Sequence, residues 1–220
     1  MLSFMLKYDL HVHSKYSKCS GLKLSILLKT AKKIGLNGMA ITDHNTIKGA
    51  LALKKLNKDK NFEIIIGEEI MTNHGEILAY YLKEEIKPGD VFEVIENIRK
   101  QNGLISVAHP YSIYRQRMGN FIMKLGNKID AVEVFNGRAI IPYENRKAQR
   151  VAELLNIGRT AGSDAHSRIE IGKAYTFFDE GYELREAIKK KKTGFKGVIW
   201  YAFPGGISSG IFKLKNFLRI

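Results

Sequence analysis

The histidines of this chain are confined to short polar segments, most of which directly follow an apolar, strand-like run. All six have Asp, Glu, Gly or Pro close by. Residues that end the successive strands of an α/β barrel meet at one mouth, however far apart they lie in the sequence. Imidazole and carboxylate groups gathered there would form a set of metal ligands. The segments are residues 9–13, 42–44, 73–76, 108–110 and 163–166.

Strand-like and helix-like segments alternate along the chain. Such repeated units predict an α/β fold with a parallel sheet that is closed or nearly closed. Periodicity and turn signals predict strands at 7–13, 38–42, 62–66, 76–82, 104–108, 131–135, 158–161 and 173–178. Helices are predicted at 24–34, 46–57, 90–103, 142–156 and 182–192. Asp90 is the expected N-cap of the third helix, and Pro142 opens the fourth.

Length and cysteine usage predict one soluble domain spanning 1–220 in a reducing compartment. A chain of 220 residues can bury a substantial core without disulfides, and the one cysteine, Cys19, excludes an internal disulfide. No secretory signal pattern or membrane-spanning apolar run is evident, so we expect a cytoplasmic protein. Residues 197–220 are apolar with interleaved basic residues. We expect them to pack on the barrel, and an amphipathic membrane or partner helix is the alternative.

The net charge of +14 favours an anionic partner. Phosphoesters, nucleic acid and a membrane surface all qualify. Much of the charge falls on predicted helix faces, where it equally serves solubility. The sequence contains no RNA-recognition, helix-turn-helix or zinc-finger motif. Charge therefore predicts an anionic, phosphorylated substrate without specifying which.

Two pairs of candidate ligands have a two-residue spacing. His11 and His13 face the same side of a strand, about 6.5 Å apart, so both imidazoles can reach one ion. Asp164 and His166 repeat this spacing at another strand end. Asp9 shares the face of His11 and could orient a histidine.

The acidic pair after the third strand offers one further carboxylate. Glu69 could bridge two metals, whereas Glu68 points the opposite way if the strand continues. His109 precedes Pro110, which disfavours a helical conformation and fixes its direction. Each of these residues taken alone is better interpreted as a hydrogen-bonded loop residue, but their joint arrangement favours a ligand set.

Five motifs in order along the chain resemble the PHP family, named for polymerase and histidinol phosphatase. They are Asp-Leu-His-Val-His at 9–13, Ile-Thr-Asp-His-Asn-Thr at 41–46, Gly-Glu-Glu-Ile at 67–70, Ala-His-Pro at 108–110 and Gly-Ser-Asp-Ala-His at 162–166. The resemblance implies a distorted seven-stranded, TIM-like β/α barrel with two or three divalent metals at its mouth. It also implies a phosphoesterase acting on phosphomonoesters or on nucleotide and nucleic-acid phosphodiesters.

The resemblance also implies a distribution of ligands. His11, His13, Glu69 and Asp164 would hold one metal. Glu69 would bridge to a second metal with His109, and His44 and His166 would hold a third. The expected metals are Zn, Mn or Fe, and a metal-bound hydroxide would attack phosphorus.

Two positions depart from the family pattern. Where the family often has Asp or His, this chain reads Ser17-Lys-Cys-Ser20. Cys19 could ligate the third metal as a thiolate, or it could be a small buried residue. The family usually has a histidine at the position of Glu76. Glu76 or His74, two residues earlier, could complete the second metal.

Other residues are candidates for substrate contact or proton transfer. Arg138 suits a phosphate and stands in an Asn-x-Arg sequence that the family also carries, although a surface arginine is as plausible. Asp43 could protonate the leaving group. Lys18, Arg115 and Arg117 are weaker candidates, each more typical of a solvated loop charge.

Two other functions are compatible with such a sequence. One is a non-catalytic RNA-binding subunit resembling the ribonuclease P barrel protein, which would not need a near-complete ligand set. The other is a metal-dependent C–N hydrolase, which usually has a lysine among its ligands. The absence of a large insertion between the motifs favours an open mouth able to admit a chain end.

Overall fold

A computed structural model describes residues 4–199 as a closed barrel surrounded by helices. Strands β1 to β8 are neighbours in chain order, and β8 pairs back with β1 to close the barrel. A ninth strand pairs with the outer edge of β8. The strands are β1 (Met5–Val12), β2 (Gly38–Ile41), β3 (Glu63–Thr72), β4 (Gly75–Tyr80), β5 (Leu104–Val107), β6 (Ala131–Asn136), β7 (Gly158–Gly162), β8 (Ala174–Asp179) and β9 (Gly194–Gly197).

The sheet is mixed, which corrects the expectation of a parallel sheet. The β1–β2, β2–β3, β5–β6 and β6–β7 pairs are parallel, whereas β4 and β8 run antiparallel to both of their barrel neighbours. Only the turn at Asn73 and His74 separates β3 from β4, and so tight a connection can join only antiparallel strands. The TIM-like α/β barrel is confirmed, with eight closing strands where the family resemblance implied seven.

The helices begin and end close to the predicted positions. The Asp90 side chain caps α3 by accepting hydrogen bonds from the backbone N–H groups of Phe92 (2.9 Å) and Glu93 (3.4 Å). Pro142 is the first residue of α5. The helices are α1 (Leu24–Lys33), α2 (Lys48–Leu56), α3 (Val91–Lys100), α4 (Ile122–Leu125), α5 (Pro142–Leu154) and α6 (Leu184–Lys189).

An apolar core is shared between several strands of the barrel. Leu10, Leu78, Tyr80 and Phe178 are almost completely buried in one cluster. The Tyr80 hydroxyl donates to the backbone carbonyl of Leu10 at 3.1 Å, which ties β4 to β1 across the sheet. Two further clusters join the strands to the helices. This close packing gives the polar residues at the strand ends a rigid support.

Gly162 allows β7 to approach β1 at the point where His11 lies. A Cβ atom at residue 162 would lie 2.3 Å from the Cβ of His11 and 2.4 Å from its backbone nitrogen. No real side chain tolerates such distances, so glycine is needed here for the strands to close around His11.

Some predictions concern chain ends that lie outside the described residues. These include the packing of residues 200–220, which stays a prediction together with the single-domain organisation of 1–220. Within residues 4–199, no helix has both the length and the apolar character required to cross a bilayer.

Candidate metal centre

Five of the six histidines converge at one end of the barrel. They come from four different strand ends, as the sequence predicts, and three carboxylates lie among them. The cluster comprises His11 on β1, His13 just after it, His44 after β2, Glu69 on β3, Glu76 on β4, His109 after β5, and Asp164 and His166 after β7.

Glu69 lies at the centre of this cluster, with each carboxylate oxygen facing two imidazoles. Its Oε1 atom is 3.3 Å from His11 Nε2 and 3.0 Å from His109 Nε2. Its Oε2 atom is 3.2 Å from His13 Nε2 and 3.1 Å from His44 Nδ1. Glu69 therefore has the geometry of a carboxylate that connects two groups of histidines.

Asp164 provides the second central carboxylate. Its Oδ1 atom is 3.4 Å from both His13 Nε2 and His166 Nδ1. Its Oδ2 atom pairs with the guanidinium of Arg115 and accepts a hydrogen bond from Asn136 Nδ2 at 3.1 Å. Asp164 has a φ of +56°, a left-handed conformation that aspartate tolerates better than most residues.

Two buried oxygens in the cluster are left without a hydrogen bond of acceptable geometry. These are Glu69 Oε2 and Asp164 Oδ1, judged against residues 4–199. A buried carboxylate oxygen without a partner is costly, and cation binding removes that cost. Side chains suitable for metal binding also surround both atoms, within sets whose ligand atoms lie within 4.8 Å of one another. The residues present therefore fit divalent metals.

Cys19 belongs to one of these sets, together with His13, His44 and His166. Its Sγ atom is 3.0 Å from His166 Nε2. His166 Nδ1 lies 2.8 Å from the backbone carbonyl oxygen of Asp164, so Nε2 is the ring nitrogen that faces the thiol. A sulfur donor with three imidazoles is a set typical of zinc or another soft transition metal.

The pKa values show how strongly these buried groups interact. Burial opposes protonation of His11, but Asp164, Glu133 and Glu69 outweigh it and raise the pKa of His11 well above its usual value. Burial likewise opposes protonation of His13, and its carboxylate neighbours still raise its pKa to about 9. The Nε2 atoms of the two rings are only 3.2 Å apart, so both face the same point of the cluster.

Of the two candidates in the β3–β4 hairpin, only Glu76 reaches the cluster. Its carboxylate oxygens lie 3.5 Å from His109 Nε2 and 3.7 Å from His44 Nδ1. Burial and the nearby Glu69 carboxylate raise the pKa of Glu76 to about 7. His74 lies in the hairpin turn, and its ring stacks on Phe121 with centroids 3.6 Å apart. This position corrects the expectation that His74 could join the ligands.

Glu133 is the residue of the site that sequence reasoning missed. Its Oε1 atom is 2.9 Å from His11 Nδ1, and its Oε2 atom accepts a hydrogen bond from the His109 backbone N–H at 2.8 Å. The sequence feature that could have indicated Glu133 is that it is the single acidic residue within the apolar strand β6. Asp9 was expected to orient a histidine ring, but its carboxylate accepts hydrogen bonds from Ser163 and from the backbone N–H of Gly172 instead.

Asp43 is enclosed by hydrogen bonds from the segment that follows β1. It is completely buried and accepts hydrogen bonds from the Ser14 backbone N–H (2.7 Å), the Ser14 hydroxyl (2.6 Å) and the Ser17 hydroxyl (2.7 Å). Ser17 Oγ in turn lies 3.2 Å from His13 Nδ1 and accepts from the His44 backbone N–H at 3.0 Å. Asp43 therefore supports the loop that carries these histidines, and its role as a proton donor stays a prediction.

The basic candidates occupy different environments. Arg138 is buried, and its guanidinium lies 2.6 Å from His166 Nδ1 and 3.6 Å from the Glu170 carboxylate. Arg115 enters the cluster to pair with Asp164, so it is not the solvated loop charge that the sequence suggested. Lys18 is exposed beside Cys19. Arg115 is thus the cation nearest to the central carboxylates.

Comparisons with known proteins agree with the motif order. Two uncharacterised proteins of Methanocaldococcus jannaschii are similar in sequence. One is 44% identical over 142 residues, covering 60% of this chain and 82% of the relative. The other is 38% identical over 181 residues, covering 80% of this chain and 71% of the relative.

A solved structure confirms the fold. It is a two-domain protein of Bacteroides vulgatus described as containing a predicted PHP-like metal-dependent phosphoesterase. The TM-score is 0.75 at 19% identity, covering 89% of this chain and 66% of that one. The sequence profile of the PHP domain matches residues 9–133, and that of a PHP-associated region matches residues 142–193. This chain therefore belongs to the PHP family.

Proposed function

We propose that this chain is a metal-dependent phosphoesterase whose metals are held by the histidine and carboxylate cluster. The observation that carries the proposal is the position of Glu69 between four imidazoles, together with its buried Oε2 atom, which has no hydrogen bond of acceptable geometry. A carboxylate in this position suits two neighbouring cations, and paired cations suit the displacement of a phosphoryl group.

The ligands divide into three groups around the shared carboxylate. His11, His13 and Asp164 would hold one ion with Glu69. His109 and Glu76 would share Glu69 with a second ion. Cys19, His44 and His166 would hold a third, with His13 at the boundary. Divalent ions there would polarise the phosphoryl oxygens and lower the pKa of water.

Neighbouring side chains hold the candidate ligands in position. Glu133 holds the Nδ1 side of His11 so that Nε2 is presented to the cluster. Asn136 and Arg115 fix the Asp164 carboxylate. The planar guanidinium of Arg115 could exchange Asp164 for a phosphate oxygen, because arginine suits both anions.

The RNA-binding and C–N hydrolase alternatives agree less well with this geometry. An RNA-binding subunit without catalysis would have no need for a buried set of histidines and carboxylates with unpaired oxygens, since such a set is costly to fold. A C–N hydrolase usually has a lysine ligand. The positively charged or ionisable groups described around Glu69 and Asp164 are imidazoles and the Arg115 guanidinium.

A reporter assay tests the proposal. The chain would be stripped with a chelator and then assayed on p-nitrophenyl phosphate and bis-p-nitrophenyl phosphate, with Mn²⁺, with Zn²⁺ and without metal. We expect hydrolysis that depends on added metal, and the preferred reporter would distinguish monoesters from diesters. Glu69→Gln should lower the rate by about 100-fold or more, since loss of an outer-shell partner already costs 10- to 100-fold.

Glu68→Gln is a matched control for that variant. Glu68 is the neighbouring acid on β3, but it accepts a hydrogen bond from the Ile86 backbone N–H at 3.0 Å, away from the cluster. Burial raises the pKa of Glu68 to about 7, so a neutral glutamine suits its environment. Failure of both reporters with every metal, or equal rates for the two variants, would contradict the proposal.

A further inference from the structure

A groove of about 400 Å³ lies along α5, outside the metal cluster. One side is formed by α5 itself, and the other includes Tyr111, Asn120 and Met123. We refer to this feature as the α5 groove. The residues that decide its chemistry are Tyr111, Met123, Tyr143, Arg146, Lys147 and Arg150.

The α5 groove is strongly cationic. Arg146 and Arg150 are exposed and lie one helical turn apart, so both project over the same face. Lys147 adds a third positive charge, and the residues that line the groove include no Asp or Glu. Glu144, on the same helix, is turned inward and accepts from the backbone N–H groups of Ile140 and Ile141. The groove therefore favours an anionic occupant.

Aromatic rings are interleaved with these charges. The ammonium group of Lys147 lies 4.4 Å from the ring centroid of Tyr111 and 5.9 Å from that of Tyr143. Tyr143 is 51% exposed, so much of its ring remains available for stacking. Met123 supplies an apolar wall that is 47% exposed. Stacking rings beside phosphate-binding cations are what single-stranded nucleic acid requires.

The α5 groove adjoins the metal cluster through the loop after β5. Tyr111, which lines the groove, follows His109 by only two residues. Tyr111 also lines a small internal cavity together with His109, Glu133 and Asn136. The loop after β5 therefore contributes residues both to the cluster and to the groove.

We propose that the α5 groove binds single-stranded nucleic acid, with a base on Tyr143 and phosphates on Arg146 and Arg150. This inference rests on the proposed phosphoesterase function and assigns it a substrate class, a polynucleotide strand. A single strand fits better than a duplex because its bases are free to stack on a side chain.

Fluorescence anisotropy tests the groove. The full-length chain would be titrated into a labelled oligothymidylate of about ten nucleotides, within the usual site size of such proteins. Phosphorothioate linkages would slow its hydrolysis. The double variant Arg146→Ala with Arg150→Ala should weaken binding about tenfold. A plot of the logarithm of the binding constant against the logarithm of the salt concentration should become less steep by about 1.4, the value for two phosphates of a single strand. Tyr143→Leu should weaken binding about tenfold through lost stacking.

The double variant Lys54→Ala with Lys55→Ala is the matched control. It removes the same charge from the last turn of α2, so an effect of net charge alone would appear equally in both double variants. Equal losses would overturn the inference. Unchanged oligonucleotide binding in the α5 variants would also overturn it. The same holds if the α5 substitutions weaken duplex binding more than single-strand binding, or if they weaken the binding of an oligoglutamate of the same length equally.

The small reporters separate this inference from the proposed function. The α5 variants should hydrolyse them at the rate of the unmodified chain, since the groove lies outside the metal cluster. If the α5 variants hydrolyse the reporters normally and bind the oligonucleotide as the unmodified chain does, only the proposed role of the groove is overturned. Groove-dependent binding by a chain that hydrolyses no phosphoester would overturn the phosphoesterase and leave the groove as a binding site.

Discussion

Glu133 Oε1 lies 2.9 Å from His11 Nδ1, and both side chains are fully buried. The contact directs the Nε2 atom of His11 to Glu69 and His13. Carboxylates behind ligating histidines fix the tautomer and increase the basicity of the ring. The strand β6 therefore takes part in the site even though none of its residues is a candidate ligand.

The contact between Glu133 and His11 should strengthen metal binding. Glu133→Gln should lower the affinity for the tightest-bound metal 10- to 100-fold, because an amide orients His11 less well than a carboxylate. Competition with a chromogenic chelator measures the affinity. Glu96→Gln, which changes an exposed acid on α3, is the control and should leave it unchanged. Equal affinities in the two variants would show that the contact is only structural.

Cys19 should give the metal centre a spectroscopic signature. The chain has one cysteine, so any thiolate-to-metal charge-transfer band must come from Cys19. We expect the Co²⁺-loaded protein to absorb in the near ultraviolet, and Cys19→Ser to lose this absorption together with about one bound ion per chain, because the Sγ atom completes a set of three histidines. A Co²⁺-loaded chain without the band would remove Cys19 from the ligands.

Arg115 should weaken metal binding beside Asp164 through its charge. In this structure its guanidinium pairs with Oδ2 of Asp164, so a metal ion held by Oδ1 would lie close to that positive charge. Arg115→Ala should therefore tighten metal binding to the stripped protein by about fivefold to tenfold, in line with the loss of a nearby positive charge. Calorimetric titration measures this change. Arg117→Ala removes an exposed arginine of the same loop and should have no effect. Weaker binding in Arg115→Ala would contradict this prediction.

Metal binding should release protons at neutral pH. Although burial opposes its protonation, His13 has neighbours that raise its pKa to about 9, so the metal-free protein carries a proton there at pH 7. A metal ion must displace that proton, so the affinity should rise as the pH increases from 7 towards 9. Burial lowers the pKa of His44 to about 4, so His44 contributes none. Calorimetry in buffers with different ionisation enthalpies counts the protons. Affinity that does not change with pH would contradict this prediction.

The sequence allowed the strand ends and their candidate ligands to be predicted, because local patterns determine both. The two-residue spacing of His11 and His13 on a strand fixes their common direction, and the apolar runs before them locate the strand ends. Glu133 was missed because its role depends on a contact across 122 residues of sequence. The burial of Asp43 was not predicted because it depends on the loop that folds over it, which residue spacing does not reveal.

The antiparallel strands were also beyond what periodicity could establish. A strand pattern does not encode direction, and only the shortness of the link between β3 and β4 indicates a hairpin. Likewise, Glu76 and His74 share one side of an extended strand in the sequence. The turn begins at Asn73, so His74 leaves the strand geometry and stacks on Phe121 instead.

The central claim is that the cluster around Glu69 is a metal centre with more than one ion. Elemental analysis of the purified chain, after incubation with Zn²⁺ or Mn²⁺ and removal of excess metal, tests it most directly. We predict at least two ions per chain, and a loss of more than one ion in Glu69→Gln, because this carboxylate is shared between the groups of histidines. A chain that retains no stoichiometric metal, or a Glu69→Gln variant that retains the same number of ions, would contradict the account.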